Sequence, residues 1–364
     1  MTFLTIIIFI FILGLLVFVH ELGHFVAAKL AKIKVEEFAF GFPPRIWSKK
    51  KGETVYSINA IPIGGYVKML GEAEESQSKR SYSQKKPGVR AAVSIAGVLM
   101  NVVLAWLILT VGFAVGMSPL VSSPDSIPGK KLSSSIIVAG VDDKSPASVA
   151  GLESGDILIS ASAQGEQSTI FDSATAVTNF TQSHDGKKIE LVYKRDGVEK
   201  LADITLAESG LSPLGISMVE NSVVRTSWYW SPVVAFREII RIININLVFL
   251  KSFFAQLFSH GQISSQVGGP VAIYIFTGMA VKAGAMVVLQ FIAILSISLA
   301  LINILPFPAL DGGRLLFIIL EKIFRRKVVN DNVENIIHTI GFALIILFAV
   351  IVTYKDIINL IIKK

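Results

Sequence analysis

FILGLLVFVHELGHFVAAKLAK, residues 11–32, sets two histidines and a glutamate in the middle of an apolar run. Apart from that trio, the stretch from Phe3 to Ala28 is almost unbroken Ile, Leu, Val, Phe and Ala. It is long enough to cross the hydrocarbon core of a bilayer, which takes about 20 helical residues. Ionisable groups at that depth are expensive unless partnered, so they are read first as functional. His20-Glu21-Leu22-Gly23-His24 has the form H-E-x-x-H. Residues four apart share one face of a helix, so both imidazoles can reach a single metal ion. Glu21, beside the first of them, can reach a water on that metal and serve as general base. Zinc suits such donors, because it favours imidazole and carboxylate in tetrahedral geometry.

The composition agrees with a membrane setting. Of 364 residues, 52% are hydrophobic and only 17% charged, and the mean hydropathy is +0.63. The net charge of +7 does not point to nucleic acid, because Lys and Arg cluster in loops beside apolar spans, as membrane orientation requires. With no cysteine in the chain, disulfides and thiolate ligands are excluded, leaving His, Asp and Glu as metal donors.

Four spans are expected, near residues 3–28, 91–117, 284–307 and 336–354. The first lacks a basic leader, and its first basic residue, Lys29, follows it. It therefore reads as a retained transmembrane helix and not as a signal peptide. The loop after it carries thirteen Lys and Arg between Lys29 and Arg90, and the last loop carries Lys322, Arg325, Arg326 and Lys327. The positive-inside rule places both loops in the cytoplasm and both termini outside.

Residues 118–222 change character, with short alternating runs such as SIIVAGV and KIELVYKRDG broken by Gly, Pro, Ser and Asp. This is the pattern of strands joined by tight turns in a soluble, extracytoplasmic domain. From 223 to 283 the chain turns apolar again, but Arg237, Glu238, Arg241, Asn244 and Lys251 recur at helical spacing behind Trp228 and Trp230. That suits an amphipathic helix on the membrane surface better than a fifth span. The organisation is thus 1–117, 118–222, 223–283 and 284–364.

A catalytic zinc generally takes three protein ligands. His184, His260 and His338 are available, but LINILPFPALDGGRLLF (301–317) offers a better donor in Asp311. Two prolines break the helix before it, and two glycines after it allow a sharp turn. Capping of the following helix is the alternative role for Asp311.

With these motifs on the page, the chain resembles the site-2 proteases, intramembrane zinc metalloproteases, and within them the bacterial RseP-like regulators of sigma-factor release. HELGH is similar to the family's zinc and base motif, and NILPFPALDGG to its N-x-x-P-x-P-x-L-D-G motif. The resemblance implies His20, His24 and Asp311 as zinc ligands and Glu21 as base. It also implies Asn303, Pro306 and Pro308 as shaping the unwound segment and touching substrate. INAIPIGGYVKMLGE (58–72) resembles the family's membrane-dipping β-loop on the cytoplasmic side. Its alternation reads as a hairpin bent at Gly64 and Gly65, and with Tyr66 these are implied substrate contacts. SIAGVLMN (94–101) resembles the second-span motif and makes Asn101 another. VGGPVAIY resembles the family's G-P segment before the third span. SPASVAGLESGDILIS is similar to a bacterial PDZ module, inserted once.

The implied protein is a polytopic α-helical membrane protein of four transmembrane helices, with a β-loop and one PDZ-like domain. Its implied activity is regulated intramembrane proteolysis in the bacterial cytoplasmic (inner) membrane. Substrates would be transmembrane proteins already trimmed by a site-1-type protease, such as an anti-sigma factor or remnant signal peptides. GFPP (41–44) and Val98 depart from the family pattern, and a gating scheme built on two PDZ domains does not carry over. A non-proteolytic membrane scaffold or chaperone is the alternative reading, and metal content separates the two. A transporter would call for polar residues through several spans, and the second and fourth are nearly bare.

Overall fold

The computed structural model describes residues 3–72, 76–163, 165–195, 197–208, 212–260, 268–326 and 329–362. In chain order, α1 (Phe3–Leu30) is followed by β1 (Val35–Lys51), β2 (Thr54–Met69) and α2 (Pro87–Val115). Next come β3 (Lys130–Val141), α3 (Pro146–Val149), β4 (Ile157–Ala163), β5 (Thr169–Ile170) and α4 (Ala174–Ser183). Then follow β6 (Lys188–Arg195), β7 (Val198–Thr205) and β8 (Ile216–Arg225). Five helices complete the chain: α5 (Ser231–His260), α6 (Pro270–Ala283), α7 (Ala285–Asn303), α8 (Asp311–Phe324) and α9 (Asp331–Ile362). The chain divides into two compact units, residues 1–112 with 232–364, and residues 113–231.

Among the described residues of the first unit, four helical stretches are long and apolar enough to cross a membrane: α1, α2, α7 and Val333–Ile358 of α9. Each matches an expected span, with one informative difference. The third ends at Asn303 and not near 307, because Pro306 and Pro308 cannot continue a helix. α5 is not among the four. The stretch 223–283, expected as one surface segment, contains two helices of different kind. The second, α6, is short and apolar and packs against α1, α7 and α9. Its N-terminus is capped from a distance: the Asp356 carboxylate on α9 accepts the Gly269 and Ala272 amides at 2.9 and 3.1 Å. An acidic group on a membrane-length helix thereby meets amides that a helix start leaves orphaned.

Ile12 and Leu16 of α1 pack on Ile292 of α7, flanked by Leu104 and Ile108 of α2. Lower down, Ala28 and Ile33 join Val35, Val67, Met69 and Val93 in a second cluster that holds the sheet against α1 and α2. The sheet differs from the hairpin expected within residues 54–70. The chain reverses twice: at Gly52, whose φ is +63°, and, as expected, again between Ile58 and Gly65, where Gly64 has φ +114°. But β1 lies between the two arms of β2, so each arm pairs with β1. β1 and β2 each fold back, so that Phe38 pairs with both Tyr56 and Val67, and Phe40 with both Ile58 and Gly65. The segment 65–69 is left with β1 on one side and no partner strand on the other among the described residues.

The second unit is a sheet of order β7-β6-β4-β3-β8, with β5 on β4. Ile136, Leu158, Leu191 and Ile204 are fully buried in it, together with Phe180 of α4. Asp156, in the Gly-Asp turn before β4, has a side chain only 1% exposed. Arg195 at the end of β6 forks onto both its oxygens at 2.7 Å, and the Glu153 amide adds a third bond at 2.9 Å. Burial by itself would raise the Asp156 pKa, but these donors hold it below the usual carboxylate range. A carboxylate with a depressed folded pKa stabilises the fold above its unfolded value of about 4, and this is lost as pH falls through the folded value. Arg195→Met should therefore destabilise residues 113–231 by about 3 kcal/mol at neutral pH, near the low end for breaking a buried pair. It should also remove this acid-side loss; urea unfolding across pH measures both.

Candidate metal centre

Three donors converge in the first unit. Nε2 of His20 and Nε2 of His24 lie 3.2 Å apart, and Oδ2 of Asp311 lies 2.9 and 3.3 Å from them. These are the described acidic and imidazole groups close enough together to hold one metal ion. The helix spacing of α1 stacks the two imidazoles. Asp311 arrives from nearly 300 residues away, at the first residue of α8 after the unwound segment 304–310. Zinc–donor bonds of about 2.0–2.1 Å in a tetrahedron put donors roughly 3.4 Å apart, so the triangle has the size zinc requires. Asp311 Oδ2 is buried and has no hydrogen-bond partner among the described residues. Such an atom calls for a cation or a donor. Asp311 opens α8, but its side chain makes no cap; the N-cap is Leu310, which has no side-chain cap bond.

The imidazoles are oriented from behind. His24 Nδ1 lies 2.8 Å from the Val93 carbonyl; since a carbonyl only accepts, Nδ1 carries the proton and Nε2 is free to ligate. His20 Nδ1 lies 3.4 Å from the Asn101 amide, whose Oδ1 is buried without a partner. Turning that amide over puts Oδ1 on the His20 Nδ1–H and satisfies both groups, giving His20 the same tautomer. Asn101 is fully buried and stands behind His20. Its own carbonyl accepts the Ser296 hydroxyl of α7 at 2.8 Å, tying α2 to α7 at this level.

The donors open into a cavity of about 400 Å³ that also takes in Glu21, Gly64, Gly65, Tyr66 and Asn303. Asn303 Nδ2 lies 3.5 Å from His20 Nε2. A Cβ at position 65 would meet the Ala39 carbonyl at 2.9 Å and Glu21 Cγ at 3.3 Å, so the strand backbone approaches the base as closely as it does because residue 65 is glycine. Pro306 and Pro308, expected at substrate, do not line this cavity; Ala309, Leu310 and Asp311 do. His184 is engaged with Glu166 and the Phe180 carbonyl, and His338 with the Ala309 amide. The His260 side chain lies outside the described residues.

Three participants, one ion pair and one glycine, were not singled out in the sequence. Arg314, one turn after Asp311 on α8, pairs with Glu72 beyond the end of β2, and both line the cavity. Their only signal is position: Glu72 ends the β-loop segment 58–72, and Arg314 directly follows NILPFPALDGG. Gly97 of α2 is the third: a Cβ there would fall 2.4 Å from His24 Nε2 and 2.8 Å from His20 Cε1.

The family profile described as Peptidase family M50 matches residues 8–348. A relative from Clostridium perfringens with a provisional zinc-metalloprotease name is 37% identical over 348 residues, covering 94% of this chain and 95% of that protein. Zinc metalloprotease RasP of Shouchella clausii is 30% identical over 440 residues, covering 97% and 98% respectively. Among solved structures, the PDZ domain of an SdrC-like protein from Listeria monocytogenes is 26% identical. It covers 23% of this chain and 86% of that one, at a TM-score of 0.20.

The crowding at Gly97 yields a test. Gly97→Ala should displace an imidazole and weaken metal retention about 10- to 100-fold, the range for disturbing a ligand's support. Gly88→Ala on the same helix, with no atom within 4 Å of its Cβ, should retain metal normally. Elemental analysis of the purified proteins after graded chelation decides.

Proposed function

The chain belongs to peptidase family M50 and is a zinc metalloendopeptidase of the site-2 type, and on that premise we propose that it cuts transmembrane segments within the bilayer, with Glu21 as general base and His20, His24 and Asp311 holding the metal. The observation that carries the reading is the convergence of those three donors on one cavity shared with Glu21 and with an unpaired strand edge. A scaffold or chaperone has no use for such a donor set.

Zinc is the cofactor; bound by these donors, it would lower the pKa of a water towards about 7 and polarise the scissile carbonyl. Glu21 takes the proton from the attacking water and delivers it to the departing amide nitrogen. Asn303, at the rim of the donor cluster, donates its amide to the carbonyl oxygen on which charge develops. A substrate helix hides its amides in its own i to i−4 bonds, so it must unwind before any of this acts on it. The open edge at 65–69 offers replacement partners by strand addition, and Gly64, Gly65 and Tyr66 bring that edge alongside the base.

Four apolar helices and the family make this an inner-membrane protein whose substrates are membrane proteins. The basic loops put the metal-proximal sheet on the cytoplasmic side and residues 118–222 outside. That outer domain carries none of the chemical groups named above. Its proposed task is to exclude bulky partners, so that pre-trimmed proteins reach the site, an anti-sigma factor or a remnant signal peptide among them.

One reporter experiment tests the reading. Glu21→Gln keeps size and shape but cannot take the proton, so zinc content should stay normal while cleavage of a single-span reporter falls about 10²–10⁴-fold. Adjacent residues of a paired strand direct their N–H groups alternately to the partner and to the open edge. Proline at Tyr66 and at Val67, made separately, should therefore include one variant that slows cleavage without loss of zinc. Helix-breaking residues in the reporter should speed it. Loss of zinc in Glu21→Gln, or rates indifferent to both strand and reporter changes, would contradict the proposal.

A further inference from the structure

α9 contributes no metal donor, and most of its surface is uncovered by protein. Besides its contact with α6 through Asp356, two positions one turn apart meet the unwound segment. Nδ1 of His338 accepts the Ala309 amide at 2.8 Å. At Gly341, a Cβ would lie 2.4 Å from Cβ of Pro308 and 2.6 Å from its carbonyl oxygen. Both contacts fall on the same two residues of the unwound segment.

That segment needs outside support. Ala309 sits at φ +75°, a left-handed conformation that an alanine does not adopt unaided. Helix α7 has ended, α8 has not begun, and the neighbouring amides of Phe307 and Leu310 find carbonyls of Leu305 and Phe307. The Ala309 amide instead finds an imidazole from another helix. An amide left unpaired at membrane depth is costly, and the turn that would leave it so is the one delivering Asp311 two residues later. Phe317 of α8 closes edge-on over the His338 ring at 5.8 Å between centroids, fixing the ring against the helix that begins with Asp311.

We propose that His338 and Gly341 are positioning residues of the metal centre: the fourth span holds the Pro308–Ala309 turn in its left-handed form and so aims the Asp311 carboxylate at the two imidazoles. The inference rests on the zinc reading of His20, His24 and Asp311. Gly341 allows the helix to come against the turn, and His338 supplies the acceptor that the turn requires. Neither touches substrate or metal.

The test exploits the two ends of an imidazole. His338→Asn keeps a polar atom where Nδ1 stands, His338→Gln moves it out to the Nε2 end, and His338→Leu removes it. Zinc release to a chromogenic chelator and turnover of a single-span reporter are measured on each full-length variant in detergent. Release should accelerate about 10- to 100-fold in Leu and Gln, as for loss of a ligand's support, with turnover falling in parallel, while Asn stays within a few-fold of the natural protein. Gly341→Ala should resemble Leu. Should Leu fail to insert, Asn against Gln, equally polar and differing by one methylene, carries the comparison. Equal behaviour of Asn and Gln, or natural zinc release in Leu, overturns the inference. His24→Ala is run beside them: retained zinc there removes the metal reading and the inference with it, whereas lost zinc there with His338→Leu unchanged removes the inference alone.

Discussion

The interaction on which everything else depends is the meeting of one carboxylate oxygen with two imidazole nitrogens inside an apolar bundle. Asp311 Oδ2 sits about a zinc-spanning distance from Nε2 of His20 and His24 and has no hydrogen-bond partner of its own among the described residues. A carboxylate buried in that way is strongly unfavourable without a cation. It persists because the surrounding groups make sense once positive charge is present. The Val93 carbonyl fixes the proton of His24, and Asn101 stands at the corresponding nitrogen of His20. Each leaves a lone pair pointing at the same spot, which is how outer groups tune ligands in metal sites.

The same constraint explains the irregular parts of the fold. A helix running on through residue 307 would have no unwound turn with which to bring Asp311 round. Pro306 and Pro308 end α7, and the segment that follows survives at depth because its amides are met by its own carbonyls and by His338. Close backbone approaches then cluster around the donors. Gly97 lies against both imidazoles, Gly65 against Glu21, and Gly341 against Pro308. The sheet is pinned beside them by the apolar cluster of Ala28, Ile33, Val67 and Val93, and at its far end by the Glu72–Arg314 pair. The base, the ligands and the strand edge are thus held in one frame, which proximity effects in catalysis demand.

What could be read in advance follows the range of each interaction. The four spans and HELGH are local: composition over 20-odd residues reveals the first, and a four-residue spacing the second. Asp311 is not local. Residue chemistry left it open between ligand and helix cap, and the family likeness was needed to choose. The sheet was legible only as alternation, because pairing of Phe38 with both Tyr56 and Val67 is a long-range choice that no single strand announces. Hence the bend at Gly64–Gly65 was legible, but the further reversal at Gly52 and the insertion of β1 between the two arms were not. Asn101 was recognised by its motif, but its place behind His20 was not legible, since a motif gives no direction for a side chain. His338, Glu72 and Arg314 act through partners 29 and 242 residues away, and a pairing at that range leaves no local pattern.

X-ray absorption at the zinc edge on the purified, zinc-loaded protein tests the central claim most directly. The account predicts a four-coordinate nitrogen and oxygen shell with backscattering from two imidazoles, and loss of a carboxylate oxygen from that shell in Asp311→Asn. A third imidazole in the first shell, or a shell unchanged by Asp311→Asn, would mean that another group completes the site and would contradict the account.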